Sequence, residues 1–153
     1  MNASAISGPS RDWAVAVFVV WRGTVLLHEH AALGRWLPCG GHVEPGETPD
    51  DAAVREVLEE SGVPVVLLGE APVSAPGPRP LTRPRGVQLE AIGPGHEHID
   101  LVYLARPEHG YDGALHGPAS LGWYDRASLE RLPLTPEIRA WCDLALAEVD
   151  HAA

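Results

Sequence analysis

The sequence predicts a mixed α/β domain, in which strands come first and helices alternate with further strands. Three observations support this prediction: a Val-rich segment with a tight turn near the N terminus, one helix with clear signals at both ends, and a second helix near the C terminus. The 153 residues are enough for one ordinary domain. We therefore expect a single domain over residues 1–153, with a frayed start at residues 1–10.

Composition and charge exclude several classes of protein. The longest apolar run, residues 14–21, is far shorter than the ~20 residues that cross a bilayer, and no secretory signal is evident. The net charge of −10, with Arg as the only basic residue type, disfavours a nucleic-acid-binding protein. Cys39 and Cys142 lie far apart, which indicates a reducing compartment without a disulfide framework. We therefore expect a cytoplasmic protein with neither membrane nor nucleic-acid partners.

The N-terminal third of the chain predicts a β-hairpin followed by a loop. Asp12–Trp21 is rich in Val, Arg22 and Gly23 form the turn, and the apolar pattern resumes over Thr24–His28. Residues 33–46 mix Gly and Pro with polar side chains, so they predict a loop.

The next segment is the clearest helix in the chain, and it runs from Pro49 to Ser61. Thr48 is a good N-cap, Pro at the first helical position is favourable, and Asp51 completes a pattern like a capping box. Gly62 follows at the position where a left-handed C-terminal cap is expected.

The remaining chain predicts strands separated by one long irregular segment, with a helix after them. Residues 71–95 hold six Pro and four Gly, and irregular segments of that length are usually functional or disordered. The helix begins at Thr135 and Pro136, with an apolar stripe along one side. The predicted strands are residues 63–68, residues 99–105, which are apolar on both faces, and residues 121–124.

Three carboxylates of the first helix, Glu56, Glu59 and Glu60, fall within one turn and project from one arc of about 100°. Like charges at this spacing destabilise a helix, and the helix dipole also disfavours them near the C-terminal end. A hard divalent cation such as Mg²⁺ would compensate, because it prefers oxygen ligands. Taken alone, the pattern is more typical of a solvated acidic face, because charged runs on helices usually face solvent.

The residues around these carboxylates resemble the Nudix hydrolase family. The pattern G-x5-E-x7-R-E-U-x-E-E-x-G-U, where U is a bulky apolar residue, is matched over residues 41–63 without departure. The matching residues are Gly41, Glu47, Arg55, Glu56, Val57, Glu59, Glu60, Gly62 and Val63. The segments RWLPCGGHVEPGE and LGWYDRASLERL also resemble parts of the family outside this box.

The resemblance implies a Nudix fold, a mixed sheet sandwiched between helices. It also implies hydrolysis of a nucleoside diphosphate linked to another moiety, with Mg²⁺ as cofactor and Mn²⁺ as a substitute. Arg55 and Glu47 would hold the carboxylates in place, and Glu59 would serve as ligand or base. The implied metal ligands are the side chains of Glu56, Glu59 and Glu60 and the carbonyl of Gly40.

Two groups of polar residues outside the box are further candidates. His96, His98 and Asp100 would share one face of a strand, where they could bind a second metal or contact substrate, and Glu97 could be the general base. Arg83 and Arg85, in the Pro-rich segment, could clamp substrate phosphates, because guanidinium matches phosphate geometry. A polar loop and solvated charges are the ordinary alternatives.

The function that the sequence favours is metal-dependent hydrolysis of a small nucleotide-type substrate. Two alternatives remain open: a Nudix-fold sensor that binds a nucleotide metabolite without turnover, and an isoprenoid diphosphate isomerase. The sequence also leaves homodimerisation and the identity of the nucleotide open.

Overall fold

The computed structural model describes residues 8–149, which form eight strands and three helices. None of the helices in this range is long and apolar enough to cross a membrane. In chain order the elements are β1 (Ser10–Trp21), β2 (Thr24–His30), β3 (Arg35–Leu37), β4 (Cys39–His42), α1 (Pro49–Ser61), β5 (Val65–Leu68), β6 (Gly86–Gly93), β7 (His96–Pro107), β8 (Gly122–Tyr124), α2 (Arg126–Arg131) and α3 (Pro136–Glu148).

The sheet is mixed, and β1 and β7 form its centre. They run parallel, in register from Ser10 opposite His96 to Val19 opposite Ala105. The hairpin partner β2 and the short β4 pair antiparallel with β1, whereas β5 and β6 pair antiparallel with β7. This arrangement confirms the predicted mixed α/β class.

Helices cover both faces of the sheet. Because side chains alternate along a strand, Val15 and Val17 of β1 point to the face that packs against Val57 of α1. Phe18 of β1 points to the opposite face and packs in a second core with Ile138 of α3. The sheet is therefore sandwiched between helices, as the resemblance implied.

The elements with strong local signals match their predictions. The hairpin turns at Arg22 (φ 50°) and Gly23 (φ 74°). The first helix spans the predicted residues, with the Thr48 hydroxyl accepting a hydrogen bond from the Asp51 amide and Gly62 in the left-handed conformation at φ 74°. The predicted frayed start lies mostly outside the described residues, although Ser10 at its end already belongs to β1.

Two predictions of irregular chain are wrong. Residues 33–46 contain β3 and β4, and the second half of residues 71–95 forms β6. In β4, a Cβ at Gly40 would collide with the carbonyl oxygen of Val15, so this glycine permits close strand packing rather than marking a loop. In β6, Val87 and Leu89 are more than half exposed, so the strand lacks the usual pattern of buried apolar residues.

Candidate active site

Helix α1 places its carboxylates directly beside β4, and Gly41 makes this approach possible. A Cβ built on Gly41 would lie 2.6 Å from Cδ and 2.9 Å from Oε2 of Glu56. The Glu56 carboxylate therefore occupies the space that a side chain at residue 41 would fill. A glycine at this position in the family pattern thus has a local steric reason.

One guanidinium fixes the orientation of the acidic cluster. Arg55 donates two hydrogen bonds to Glu47, from Nε to Oε1 at 2.6 Å and from Nη2 to Oε2 at 3.0 Å. Its Nη1 donates to Glu56 at 3.0 Å and to Glu59 at 3.2 Å, and its Nη2 also donates to the His42 carbonyl at 3.1 Å. The structure therefore brings Arg55 together with three of the predicted carboxylates. These bonds lower the pKa of Glu47 and raise the pKa of Arg55, because they favour the charged form of each.

Glu60 lies on the same helix face, but Arg55 does not neutralise it. Its Oε2 is buried and makes no hydrogen bond within residues 8–149. The nearest basic nitrogen, Nε2 of His28, is 3.6 Å away, and burial lowers the pKa of His28 and so favours the neutral imidazole. Burial, and then the adjacent Glu56, raise the pKa of Glu60 to about 8.

A buried carboxylate oxygen without a partner, next to a second carboxylate, suits a bound cation. Glu56 and Glu60 offer only oxygen atoms, which are the ligands that Mg²⁺ prefers. Glu59, whose side chain is 60% exposed, can reach the same side from solvent. The donor set therefore fits a hard divalent ion, as the resemblance implied.

Glu60 opens into a cavity of about 380 Å³. The walls of this cavity come from strands β1–β4, β6 and β7 and from α3, and Gly40 lies among them. Two wall carboxylates interact: burial, and then Asp100, raise the pKa of Glu90. The polar side chains that line it include His28, Arg35, Glu90, His98 and Asp100.

Glu56 faces a neighbouring groove of about 750 Å³, which Arg11 and Trp13 also line. His42 borders both this groove and the cavity. The α1 carboxylates are therefore accessible from two sides of β4, which leaves room for a substrate larger than the diphosphate itself.

Glu97, Arg83 and Arg85, which were predicted as base and phosphate contacts, do not line the cavity. Glu97 pairs with Arg11 at 2.9 Å, and the alternation of β7 turns it to the face opposite His98. Arg85 binds Glu148 near the end of α3 through two hydrogen bonds of 2.7 and 2.8 Å, and Arg83 lines a depression beside this pair. Neither arginine lies among the residues that line the cavity.

Four site residues were not identified from the sequence: Asp12, His28, Arg35 and His42. Each lies on a strand or at a strand end, and its partners come from elements distant in sequence. Only the strand register brings them together, and register depends on tertiary pairing. By contrast, the predicted common face of His96, His98 and Asp100 is confirmed, since all three lie at alternate positions of β7; His98 and Asp100 line the cavity, whereas His96 does not.

The chain is similar to known proteins of one family. The NUDIX domain family model matches residues 10–148. A NUDIX family hydrolase from Clostridium perfringens has a similar solved structure, with a TM-score of 0.81, 30% identity, and coverage of 92% of this chain and 99% of that one.

Curated relatives match over shorter segments. A mouse diphosphoinositol polyphosphate phosphohydrolase 3-alpha is 66% identical over 29 residues, which is 19% of this chain and 18% of the relative. A mouse oxidized purine nucleoside triphosphate hydrolase is 57% identical over 35 residues, which is 23% of this chain and 22% of the relative. The chain thus matches about a fifth of the length of these relatives.

Proposed function

The chain belongs to the Nudix family of pyrophosphohydrolases, and from this premise we propose that it hydrolyses the diphosphate linkage of a nucleotide or nucleotide derivative with Mg²⁺. The observation that carries the proposal is the buried, unpartnered carboxylate oxygen of Glu60 beside Glu56. Mn²⁺, which accepts similar oxygen ligands, would substitute for Mg²⁺.

The side chains of this site would share the work of hydrolysis. Glu56 and Glu60, with the Gly40 carbonyl, would hold the metal, Glu59 would act as a further ligand or as the base, and Arg55 and Glu47 would keep the carboxylates oriented. Mg²⁺, when bound, neutralises charge on the diphosphate and makes water a better nucleophile. The water oxygen attacks phosphorus, the bond from phosphorus to the bridging oxygen breaks, and a carboxylate accepts the water proton.

We assign this proton acceptor to Glu59, with Glu90 as the alternative. Glu59 is exposed on the helix face that carries the metal ligands, which leaves it accessible to water. Glu90 has a raised pKa and lines the cavity, and both properties suit a base at neutral pH. Glu97 is less suitable, because it pairs with Arg11 on the other face of β7. The base is the residue whose Gln variant loses the acid limb of the pH–rate profile at saturating Mg²⁺.

A nucleotide-type substrate fits the site and one of the two curated relatives, and both relatives are named for phosphorylated substrates. The mouse relatives are named for phosphohydrolysis of a diphosphoinositol polyphosphate and hydrolysis of oxidized purine nucleoside triphosphates. Glu90 and Asp100 make the cavity wall acidic, so it suits an uncharged group with hydrogen-bond donors better than a further phosphate. Cys39 and Cys142 are free thiols, which supports a cytoplasmic location.

One experiment separates hydrolysis from the two alternatives. The protein is incubated in Mg²⁺ with one substrate class at a time: nucleoside di- and triphosphates, nucleotide sugars, dinucleoside polyphosphates and an isoprenoid diphosphate. The products are resolved by anion exchange and identified by mass spectrometry. Hydrolysis predicts two phosphorylated products, or one phosphorylated product together with inorganic phosphate. The Glu60→Gln variant should form far less of these products than the parent. Binding without products would indicate a sensor, and an isomer without cleavage would indicate the isomerase; either result overturns the proposal.

A further inference from the structure

A second cluster of potential metal ligands lies outside the acidic helix. Asp12, His42 and His98 each offer one ligand atom, and these atoms all lie within 4.8 Å of one another. The Nε2 atoms of His42 and His98 are 3.0 Å apart, and Nε2 of His42 is 3.9 Å from Oδ2 of Asp12. Nothing in the family pattern over residues 41–63 includes this combination.

The sheet holds these three side chains in place. Asp12 of β1 lies directly opposite His98 of β7 in the parallel pair. His42 of β4 lies opposite Ala14, two residues along β1 from Asp12, so all three side chains share one face. Ligands on three neighbouring strands are positioned by backbone hydrogen bonds rather than by loop conformation.

We propose that Asp12, His42 and His98 bind a borderline divalent cation, of which Zn²⁺ is the best match. Bonds of about 2.0–2.1 Å in a tetrahedral site place ligand atoms roughly 3.3–3.4 Å apart. Two of the separations, 3.0 and 3.9 Å, lie on either side of this value, and the third, between His98 and Asp12, is within 4.8 Å, so side-chain rotation must bring Asp12 closer to His98. Imidazole nitrogens suit Zn²⁺ rather than Mg²⁺, so this site differs in chemistry from the carboxylates of α1.

His96 supports the cluster from the next position along the face of β7. Its Nε2 is 3.4 Å from Oδ2 of Asp12, and its Nδ1 is 2.8 Å from the hydroxyl of Ser10. These contacts orient Asp12 in the way that outer partners orient metal-binding carboxylates. Since Ser10 and His96 face each other at the start of the β1–β7 pair, this support is also built into the sheet.

The site is open to both solvent and the cavity. The side chains of Asp12 and His42 are 54% and 59% exposed, so an ion can enter. His42 and His98 line the cavity that contains Glu60. Three protein ligands leave a fourth tetrahedral position free, and that position would bind water or an anionic oxygen of a molecule in the cavity.

Calorimetric titration with Zn²⁺ in millimolar Mg²⁺ tests the proposal, because Mg²⁺ competes for the α1 carboxylates. The parent should bind one Zn²⁺ per chain, and His98→Ala and His42→Ala should each weaken binding. Loss of a residue that only orients a metal ligand already costs about tenfold in affinity, so loss of a ligand itself should cost at least that much. His109→Ala is the matched control, since His109 is exposed beyond the opposite end of β7, and it should bind like the parent. Glu60→Gln should also bind like the parent.

Spectroscopy provides the readout that is independent of protein stability. Co²⁺ bound to the parent should show the intense visible absorption of a four-coordinate ion, and His98→Gln, which keeps a polar side chain of similar length, should not show it. Equal Zn²⁺ affinity in the parent and the His98 variants, no binding by the parent, or loss of binding in Glu60→Gln would overturn the proposal. Because neither readout uses turnover, the result is independent of the proposed hydrolysis.

Discussion

Replacing Gly41 with Ala should displace a metal ligand without changing any charge or unfolding the protein. The new Cβ would lie 2.6 Å from Cδ of Glu56, whereas carbon atoms in ordinary contact are about 3.5–4.0 Å apart. The Glu56 carboxylate must therefore move by roughly 1 Å. The backbone itself accepts Ala, because φ at Gly41 is not positive.

The expected loss of activity follows from how little displacement of a ligand a metal site tolerates. Ligand distances are held to within about 0.2 Å, and a misplacement of about 1 Å in a catalytic group costs about 100-fold in rate. We therefore expect kcat/KM to fall by about 100-fold, which corresponds to about 2.7 kcal/mol of transition-state stabilisation. The Tm should stay constant or rise slightly, because Gly→Ala reduces the conformational freedom of the unfolded chain.

The assay compares Mg²⁺-dependent hydrolysis, Mn²⁺ affinity and Tm for Gly41→Ala and two other glycine variants. Gly93→Ala is the control, since open space surrounds Gly93, and it should behave like the parent in all three measurements. Gly40→Ala should instead lower the Tm, because its Cβ meets the rigid backbone of Val15. Full activity and Mn²⁺ affinity in Gly41→Ala would refute the assignment of Glu56 as a ligand that Gly41 accommodates.

Three further predictions concern the charges of the chain. In metal-free protein, the pKa of Glu60 in the folded state is raised to about 8, so between about pH 4.5 and 8 the folded state holds more protons than the unfolded state. The Tm should therefore fall as pH increases through this range, and Glu60→Gln should flatten the profile. Arg55 lowers the pKa of Glu47 in the folded state, which gives stability that is present above about pH 4.5 and is lost as pH falls through the folded pKa. The stability of Glu47→Gln should therefore depend less on acid pH than the stability of the parent does. Arg85→Ala removes an exposed ion pair with Glu148, so a small fall in Tm with unchanged KM is expected; a KM increase that grows with the number of substrate phosphates would restore Arg85 as a substrate contact.

The parts of the fold that the sequence predicted well are those determined by local interactions. The bounds of α1 follow from the Thr48 cap and the left-handed Gly62, which act within one turn of the helix. The shared orientation of Glu56, Glu59 and Glu60 likewise follows from helical geometry alone. The structure adds that Arg55 bonds two of these three and that, among residues 8–149, Oε2 of Glu60 has no hydrogen-bond partner.

The parts that the sequence did not predict depend on contacts between distant segments. Gly40 in β4 is required by the backbone of β1, and the sequence pattern of a strand glycine is the same as that of a loop glycine. The Asp12–His42–His98 cluster depends on the registers of two strand pairs, β1–β7 and β1–β4, which local patterns do not specify.

Turnover of Glu60→Gln at saturating Mg²⁺, measured on a nucleotide that the parent hydrolyses, tests whether Glu60 holds the metal ion that hydrolysis needs. If Glu60 holds the metal that neutralises the diphosphate, kcat should fall by about 100-fold or more, because that stabilisation is worth several kcal/mol. The Tm in metal-free buffer at neutral pH should be equal to or higher than that of the parent, since the buried carboxylate is removed. If the folded variant turned over within a few fold of the parent, Glu60 would not be a ligand of the catalytic metal.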